Sequence, residues 1–181
     1  VGMKKDDLLS ISPLDGRYSV ICKDIGSIFS EYSLIKYRVY IEIKWFIYLS
    51  KLNKIPSLPK LKAKDEKFLN SIFANFNITD AKVVKDFEKT TKHDVKAVEY
   101  FLKSKFGKSS QLKKYKEYIH ICCTSEDINN LSYALMIKDG RSMILNKINA
   151  LKKIFNSNVK KFSKNIMLSH THGQPATPTT M

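Results

Sequence analysis

Side chains that could bind anions or transfer protons are concentrated at four places in this 181-residue sequence. These places are Arg17-Tyr18, His93-Asp94, Thr124-Ser125 and Thr171-His172. Each falls at a predicted helix start or loop rather than on the face of a helix. Because the first turn of a helix has free N–H donors and the positive end of the helix dipole, the two middle places are predicted to suit an anionic group of a ligand.

A purely structural role is the alternative for these side chains. Asp94, Thr124 and Ser125 could act only as caps of the helices that follow them, since these residue types are favoured at caps. Arg17 could pair with an acidic group on the surface, where ion pairs contribute little. His120 lies between two isoleucines, and we interpret it as a packed or solvated side chain rather than a ligand.

The histidines and cysteines indicate neither a metal site nor a disulfide framework. The four histidines are separated by 27, 50 and 2 residues, which match no zinc-binding pattern. The cysteines are Cys22, Cys122 and Cys123, an odd number without C-x-x-C spacing. We therefore expect no metal ion, and we interpret the cysteines as packed thiols.

The net charge of +15 raises the question of nucleic-acid binding, because lysines that neutralise phosphates supply affinity for any sequence. Only Arg17, Arg38 and Arg141 among the 32 basic residues are arginines. Arginine is the side chain that forks onto phosphates and base edges, so its scarcity favours a solvated lysine surface. We expect no nucleic-acid partner, although a basic helical nucleic-acid-binding module remains an alternative.

Membrane insertion and secretion are not expected. The most apolar stretch, Val39 to Leu49, contains Glu42 and Lys44 and is shorter than a membrane span. The first residues lack the apolar core of a secretory signal, so a cytoplasmic location is predicted. A hydrophobic fraction of 43% and a charged fraction of 27% are typical of a globular protein.

The elements that must position the polar residues are predicted to be helices. The first 26 residues read as a loop-rich arm, with turn signals at Pro13 and Gly16. From Ile28 a helical stripe extends to a point before Pro56. The apolar residues of this stripe are Phe29, Tyr32, Ile35, Val39, Ile43, Phe46 and Ile47.

Three further helix starts can be predicted from capping patterns. Shorter helices are expected over Lys64 to Asn75 and over Asp80 to Lys89, the latter capped by Thr79. The sequence from Thr91 to Asp94 has the form of a capping box, which would place His93 in the first turn of the next helix. The sequence from Thr124 to Asp127 repeats the pattern.

The last predicted helix is much longer than the others. It starts at the second capping box and extends to about Ser163, so that at 1.5 Å per residue it would span about 57 Å. A helix of that length is expected in an extended bundle, within or between subunits.

The segment from Ser169 to Met181 is rich in Thr and Pro and is interpreted as a loop. We expect the chain to be part of a larger protein.

Four sequence blocks resemble those of the adenylosuccinate lyase family, in the family's order. They are Ser12–Tyr18, Thr90–Glu99, Cys123–Ser132 and Ser169–Thr177. The resemblance extends from about Ser12 to Met181 and places the chain in the superfamily of fumarase, aspartase and argininosuccinate lyase. The Thr-His-Gly-Gln-Pro-Ala sequence around His172 is similar to the adenylosuccinate branch.

The resemblance implies a β-elimination that releases fumarate from adenylosuccinate to form AMP, and from the succinyl-carboxamide imidazole ribotide of purine synthesis. His172 would be the general acid. The base would be a serine on a flexible loop that lies beyond Met181. No metal or organic cofactor is implied.

The remaining site residues would bind the nucleotide substrate. By resemblance, Arg17 and Tyr18 hold the phosphate, and Thr171 flanks the acid. Thr124 and Ser125 face a succinyl carboxylate, while His93 and Asp94 contact or orient the nucleotide. Lys92 stands where the family commonly has Asn, which is a departure within this substrate-binding block.

The resemblance also implies the architecture. An all-α fold is expected, with an N-terminal helical domain over residues 1–122, including the arm 1–26, and the first long helix of a central bundle over residues 123–181. The active sites would be shared between subunits of a homotetramer that also contains the remaining C-terminal part of the protein. Alternatives are another fumarate-releasing lyase, such as argininosuccinate lyase, or a catalytically silent scaffold.

Overall fold

The computed structural model describes residues 9–107 and 109–180 and is mainly helical, as predicted. Its elements are α1 (Lys23–Phe29), α2 (Glu31–Leu52), α3 (Ala63–Ala74), α4 (Ile78–Thr91), α5 (Asp94–Phe106), a 3-10 segment (Leu112–Tyr118), α6 (Ser125–Phe162), β1 (Ile166–Thr171) and β2 (Gln174–Thr180). Residues 1–8 of the predicted arm lie outside the described part.

Helix α2 is the central element of the core. It begins after Ser30, whose side chain accepts a hydrogen bond from the Ser33 amide, and it ends at Asn53 in the left-handed conformation. The predicted stripe is buried at Ile35, Val39, Ile43, Phe46 and Ile47. These side chains pack with apolar residues from α3, α4, α5 and the 3-10 segment, which form the main hydrophobic core.

Two helix starts differ from the predictions. Helix α4 is capped by Asn77 rather than by Thr79, and Asn77 forms a capping box with Asp80. Helix α5 is capped by His93 itself, because Thr91 belongs to the last turn of α4. Both errors arise because several cap-forming residues lie close together, and the sequence alone does not show which of them leaves helical geometry.

The predicted arm is not entirely loop, because Lys23–Phe29 forms α1. This helix has seven residues and buries none of them, so it lacks the apolar stripe by which a helix is recognised in sequence. The helices predicted near residues 64–75, 80–89 and 127–163 are confirmed within a few residues as α3, α4 and α6.

The chain forms two compact units, one up to Lys138 and one from Asp139 onward. Helix α6 contributes residues to both. The first unit contains the main core and a smaller apolar cluster of Ile41, Val95 and Ile128. The domain boundary after residue 122 stays a prediction.

The second unit consists of the end of α6 and an antiparallel hairpin of β1 and β2. The prediction of a loop over residues 169–181 is therefore wrong for the described residues. His172 and Gly173 form a two-residue turn with φ of 52° and 76°, and Thr171 pairs with Gln174 beside it. Positive φ at both turn residues suits the twist of a tight hairpin. The Pro and Thr residues of β2 conceal that strand in the sequence.

No helix among the described residues combines enough length with enough apolar character to cross a lipid bilayer.

Candidate active site

The starts of α5 and α6 meet through a contact between His93 and Ser125. His93 Nδ1 accepts a hydrogen bond from the Lys96 amide at 3.2 Å, which caps α5. His93 Nε2 lies 3.3 Å from Ser125 Oγ, in the first turn of α6. Since Nδ1 acts as an acceptor, the neutral ring carries its hydrogen on Nε2 and donates it to Ser125.

Asp94, the first residue of α5, uses both carboxylate oxygens within the protein. Oδ1 accepts a hydrogen bond from the Val95 amide at 2.8 Å, and Oδ2 lies 2.6 Å from Arg38 Nη2. Partial burial raises the pKa of this carboxyl, but the Val95 hydrogen bond and the Arg38 charge outweigh it and hold the pKa below its usual value. Asp94 is therefore ionised, and both of its carboxylate oxygens already have partners within the protein. This favours an orienting role over direct ligand contact.

Arg38 connects three helices below this contact. It extends from α2 and is only 6% exposed. Besides its ion pair with Asp94 of α5, it donates from Nε to Asn129 Oδ1 of α6 at 2.8 Å. The apolar cluster of Ile41, Val95 and Ile128 joins the same three helices. Both helix starts are thus tied to α2.

At the start of α6 the predicted capping box is present. The Thr124 amide and hydroxyl both donate to Asp127 Oδ2, at 2.7 and 2.9 Å, and the Asp127 amide donates to Thr124 Oγ1 at 3.4 Å. Both hydrogen bonds from Thr124 lower the pKa of Asp127, and the one from the amide has the larger effect. Thr124 thus acts as a cap. When the Ser125 hydroxyl accepts a hydrogen bond from His93 Nε2, its own hydrogen can point toward a ligand oxygen.

The segment that leads into α6 is held by α2 as well. His120 and Cys122 have φ of 64° and 58°, in the left-handed region. His120 Nδ1 lies 2.6 Å from Oε1 of Glu42, which is fully buried, and Trp45 Nε1 donates to the Ile121 carbonyl at 2.8 Å. Sequence reasoning missed this pair. The available signal was a carboxylate next to the apolar stripe of α2, because a buried charge requires a partner.

A cavity of about 260 Å³ opens beside this segment. Its walls are mainly apolar, and it is lined by Ile41, Trp45, Cys122, Cys123, Asp127, Ile128 and Leu131. Burial raises the pKa of the Cys123 thiol to about 11, so that this thiol stays protonated near neutral pH. The cavity lies beside the start of α6, since Asp127, Ile128 and Leu131 form part of its lining.

Lys92 is exposed and caps the end of α4 with φ of 53°. Its amide donates to the Glu88 carbonyl at 2.8 Å. Asn adopts this left-handed conformation more readily than most residues, which accounts physically for an Asn at this position in the family that the sequence resembles. The Lys side chain keeps the backbone cap but offers a cation in place of an amide.

The other predicted site residues are not brought to the start of α5 or α6 by any contact that the structure describes. In the arm, the Arg17 guanidinium lies 5.3 Å from the centre of the Tyr18 ring, and both side chains are exposed. Thr171 and His172 belong to the second unit, where the exposed imidazole stands at the hairpin turn. Over residues 9–107 and 109–180, no group of three or more His, Cys, Asp or Glu side chains could hold a metal ion.

A comparison of the chain with models of known protein families shows the family to which it belongs. The model of a family described as Lyase matches residues 16–181. The chain belongs to this family.

Three individual relatives that are similar over nearly the whole chain are all adenylosuccinate lyases. The chain is 48% identical over 182 residues to adenylosuccinate lyase of Buchnera aphidicola subsp. Schizaphis graminum, covering 99% of the chain and 40% of the relative. It is 49% identical to that of Legionella pneumophila strain Corby, over 96% of the chain and 38% of the relative. It is 42% identical to adenylosuccinate lyase of Escherichia coli K12, covering 99% of the chain and 40% of the relative. The resemblance predicted from the four blocks is confirmed, and the chain spans about 40% of the length of these relatives.

Two solved structures support the fold alone. Fumarate lyase from Mesorhizobium sp. BNC1 superimposes with a TM-score of 0.67 at 20% identity, covering 87% of this chain and 34% of that one. The β-carboxy-cis,cis-muconate cycloisomerase from Acinetobacter calcoaceticus sp. ADP1 superimposes with a TM-score of 0.67 at 16% identity, covering 88% of this chain and 35% of that one.

Proposed function

We propose that this chain is the amino-terminal part of an adenylosuccinate lyase, which releases fumarate from adenylosuccinate to form AMP. The observation that carries the proposal is the contact between His93 and Ser125 at two adjoining helix starts. The amides and dipoles of both helix starts favour a bound anion, and the substrate has two succinyl carboxylates and a phosphate. The relatives at 42–49% identity support this substrate class.

The proposed reaction needs a base and an acid. The base removes a proton from the succinyl carbon next to a carboxylate, the bond between the neighbouring carbon and the purine nitrogen breaks, and the acid protonates that nitrogen. His172 is the proposed acid, because an imidazole can give and take a proton near neutral pH. Its exposure at a hairpin turn leaves the ring accessible to a ligand.

The proposed binding roles follow the contacts of each residue. Ser125 donates its hydroxyl to a succinyl carboxylate, while Thr124 caps α6 so that its amides face the same anion. His93 fixes the Ser125 hydroxyl, and Asp94 orients the start of α5.

The residues outside these helix starts are assigned to the nucleotide end and the acid. Arg17 and Tyr18 form the proposed phosphate site, where the guanidinium gives charge-assisted hydrogen bonds. Lys92 adds positive charge near the nucleotide, and Thr171 flanks the acid.

The proposal includes the rest of the protein. The serine base would come from a loop outside this chain, so the segment alone is proposed to be inactive. We also propose a second substrate, the succinyl-carboxamide imidazole ribotide, a homotetramer with shared sites, and a cytoplasmic location. Support for assembly comes from large apolar side chains that are exposed on α6 in the second unit: Ile144, Leu145, Ile148, Leu151, Ile154, Phe155 and Val159.

The test is fumarate release by the full-length protein, followed by ultraviolet absorbance, with adenylosuccinate and argininosuccinate as separate substrates. We expect turnover of adenylosuccinate only. His172→Ala should lower kcat at least about a hundredfold, the usual range for a lost proton-transfer group, with little change in the thermal midpoint.

His170→Ala is the matched control, because His170 is exposed in the same hairpin two residues away. It should keep near-native turnover. A His172→Ala enzyme as active as this control would remove His172 from the acid role, and turnover of argininosuccinate alone would reject the proposed substrate.

A further inference from the structure

Arg38 lies at a buried junction between the two helix starts of the candidate site. Its guanidinium contacts Asp94, the first residue of α5, and Asn129, in the second turn of α6. On the outer side of the same junction, His93 and Ser125 touch at 3.3 Å. Arg38 has no other role in the proposed reaction.

The chemistry of the guanidinium suits this position. A cation that is 6% exposed must be compensated by partners, since burial of an unpaired charge is costly. The planar fork donates in two directions at once, from Nη2 at 2.6 Å to one helix and from Nε at 2.8 Å to the other. A lysine ammonium is a single point charge and cannot reproduce that fork.

The two contacts also differ in kind. The partner on α5 is a carboxylate that is itself held by the Val95 amide, so the start of α5 is fixed by charge. The partner on α6 is a neutral amide oxygen, so a single uncharged acceptor connects Arg38 to the start of α6. Loss of the Asn129 contact would leave the buried charge paired with Asp94 while it removes the polar tie between Arg38 and the start of α6.

We propose that Arg38 is a positioning residue, which holds the start of α6 against that of α5 so that His93 can orient the Ser125 hydroxyl toward a carboxylate of the ligand. The inference rests on the proposed function and adds to it a residue that never touches substrate. Its consequence is that the Arg38–Asn129 hydrogen bond controls substrate binding at a distance from the ligand.

The experiment is a double-mutant cycle in the full-length protein, with Asn129→Leu, Arg38→Lys and the pair combined. Asn129→Leu should raise KM for adenylosuccinate about five- to tenfold with kcat changed less than about twofold, as expected when one hydrogen bond that orients a binding group is lost. Arg38→Lys should raise KM similarly, and the double variant should be no worse than either single variant, because both remove the same contact.

Asn130→Leu is the matched control, since Asn130 is exposed on the adjacent position of α6 and its side chain lies 3.5 Å from that of Glu126 in the same helix. It should leave KM unchanged. The thermal midpoint of each variant is measured in parallel, and Asn129→Leu keeps the test valid if Arg38→Lys fails to fold.

Four outcomes would count against the proposal. Unchanged KM in Asn129→Leu, or KM effects that multiply in the double variant, would overturn the positioning role while the proposed function stands. A lowered thermal midpoint with native KM would reduce Arg38 to a structural residue. A wild-type protein that does not turn over adenylosuccinate would overturn the proposed function and this inference together.

Discussion

At the scale of the residue, the pair of Glu42 and His120 links the core to the candidate site. Glu42 is fully buried, and Oε1 contacts His120 Nδ1 at 2.6 Å. The hydrogen bond with Glu42 raises the pKa of His120, as does the more distant Glu99, whereas burial and the charge of Lys96 lower it. The net pKa lies above the usual value, so folding favours the protonated imidazole.

A pH dependence of stability follows from this shift. Because the pKa of His120 is raised in the folded state, its stabilising contribution is complete below the unfolded value of 6.5 and is lost as the pH rises through the folded value. In the full-length protein, we expect His120→Asn to lower the thermal midpoint most near about pH 6, and the difference from wild type to shrink toward about pH 9.

Asn is chosen for this variant because it tolerates the left-handed backbone at residue 120 and cannot be protonated there. His170→Asn, at an exposed strand position, is the control and should give a small difference at every pH. If the difference in thermal midpoint between wild type and His120→Asn stayed constant from about pH 6 to about pH 9, the stabilising role of protonated His120 beside Glu42 would be refuted.

At the scale of the element, caps determine where the helices of the site begin. The starts of α5 and α6 are both stabilised by side chains of the residues that precede them, His93 and Thr124. The same arrangement at α4 uses Asn77, whose side chain accepts hydrogen bonds from the Thr79 and Asp80 amides at 2.8 and 3.2 Å. Cap identity therefore affects which groups are available to a ligand.

The α4 start provides a direct test of cap assignment. Asn77→Ala should lower the free energy of unfolding by about 1 kcal/mol, because the α4 amides lose their acceptor. Thr79→Ala should change it by less than about 0.5 kcal/mol, since Thr79 lies within the helix at an exposed position. Urea unfolding of the two full-length variants measures both values. A larger effect for Thr79→Ala would restore the cap predicted from sequence.

At the scale of the whole molecule, the chain spans about 40% of the length of the relatives that it matches. The described residues provide a candidate acid at His172 and a candidate carboxylate site at Ser125. The proposed base belongs to a serine loop outside the chain. A reaction that needs both proton transfers should be slowed by orders of magnitude when one group is absent.

We therefore expect purified residues 1–181 to release no fumarate from adenylosuccinate above the blank rate, while the full-length protein does so under the same conditions. Intact mass of both samples controls for proteolysis and for a co-purified partner. Turnover by the short chain at a confirmed mass would contradict the assignment of the base to an absent loop.

Local patterns in the sequence predict most of the helices and the family to which the chain belongs. The spacing of apolar residues predicts α2 and α6, because a helix that packs on one side has an apolar residue at every third or fourth position. The blocks around Ser125 and His172 indicate a fumarate-releasing lyase from the sequence alone. Caps were harder to assign, since neighbouring Thr, Asn and His residues compete for one position.

Only the tertiary structure decided which of these residues meet. Arg38 contacts partners 56 and 91 residues away, and Glu42 contacts one 78 residues away. Such contacts depend on how helices pack, and no local periodicity encodes them. The hairpin at His172 depends likewise on pairing between two strands, because hydrogen bonds across the strands stabilise an extended conformation that neither segment predicts by itself.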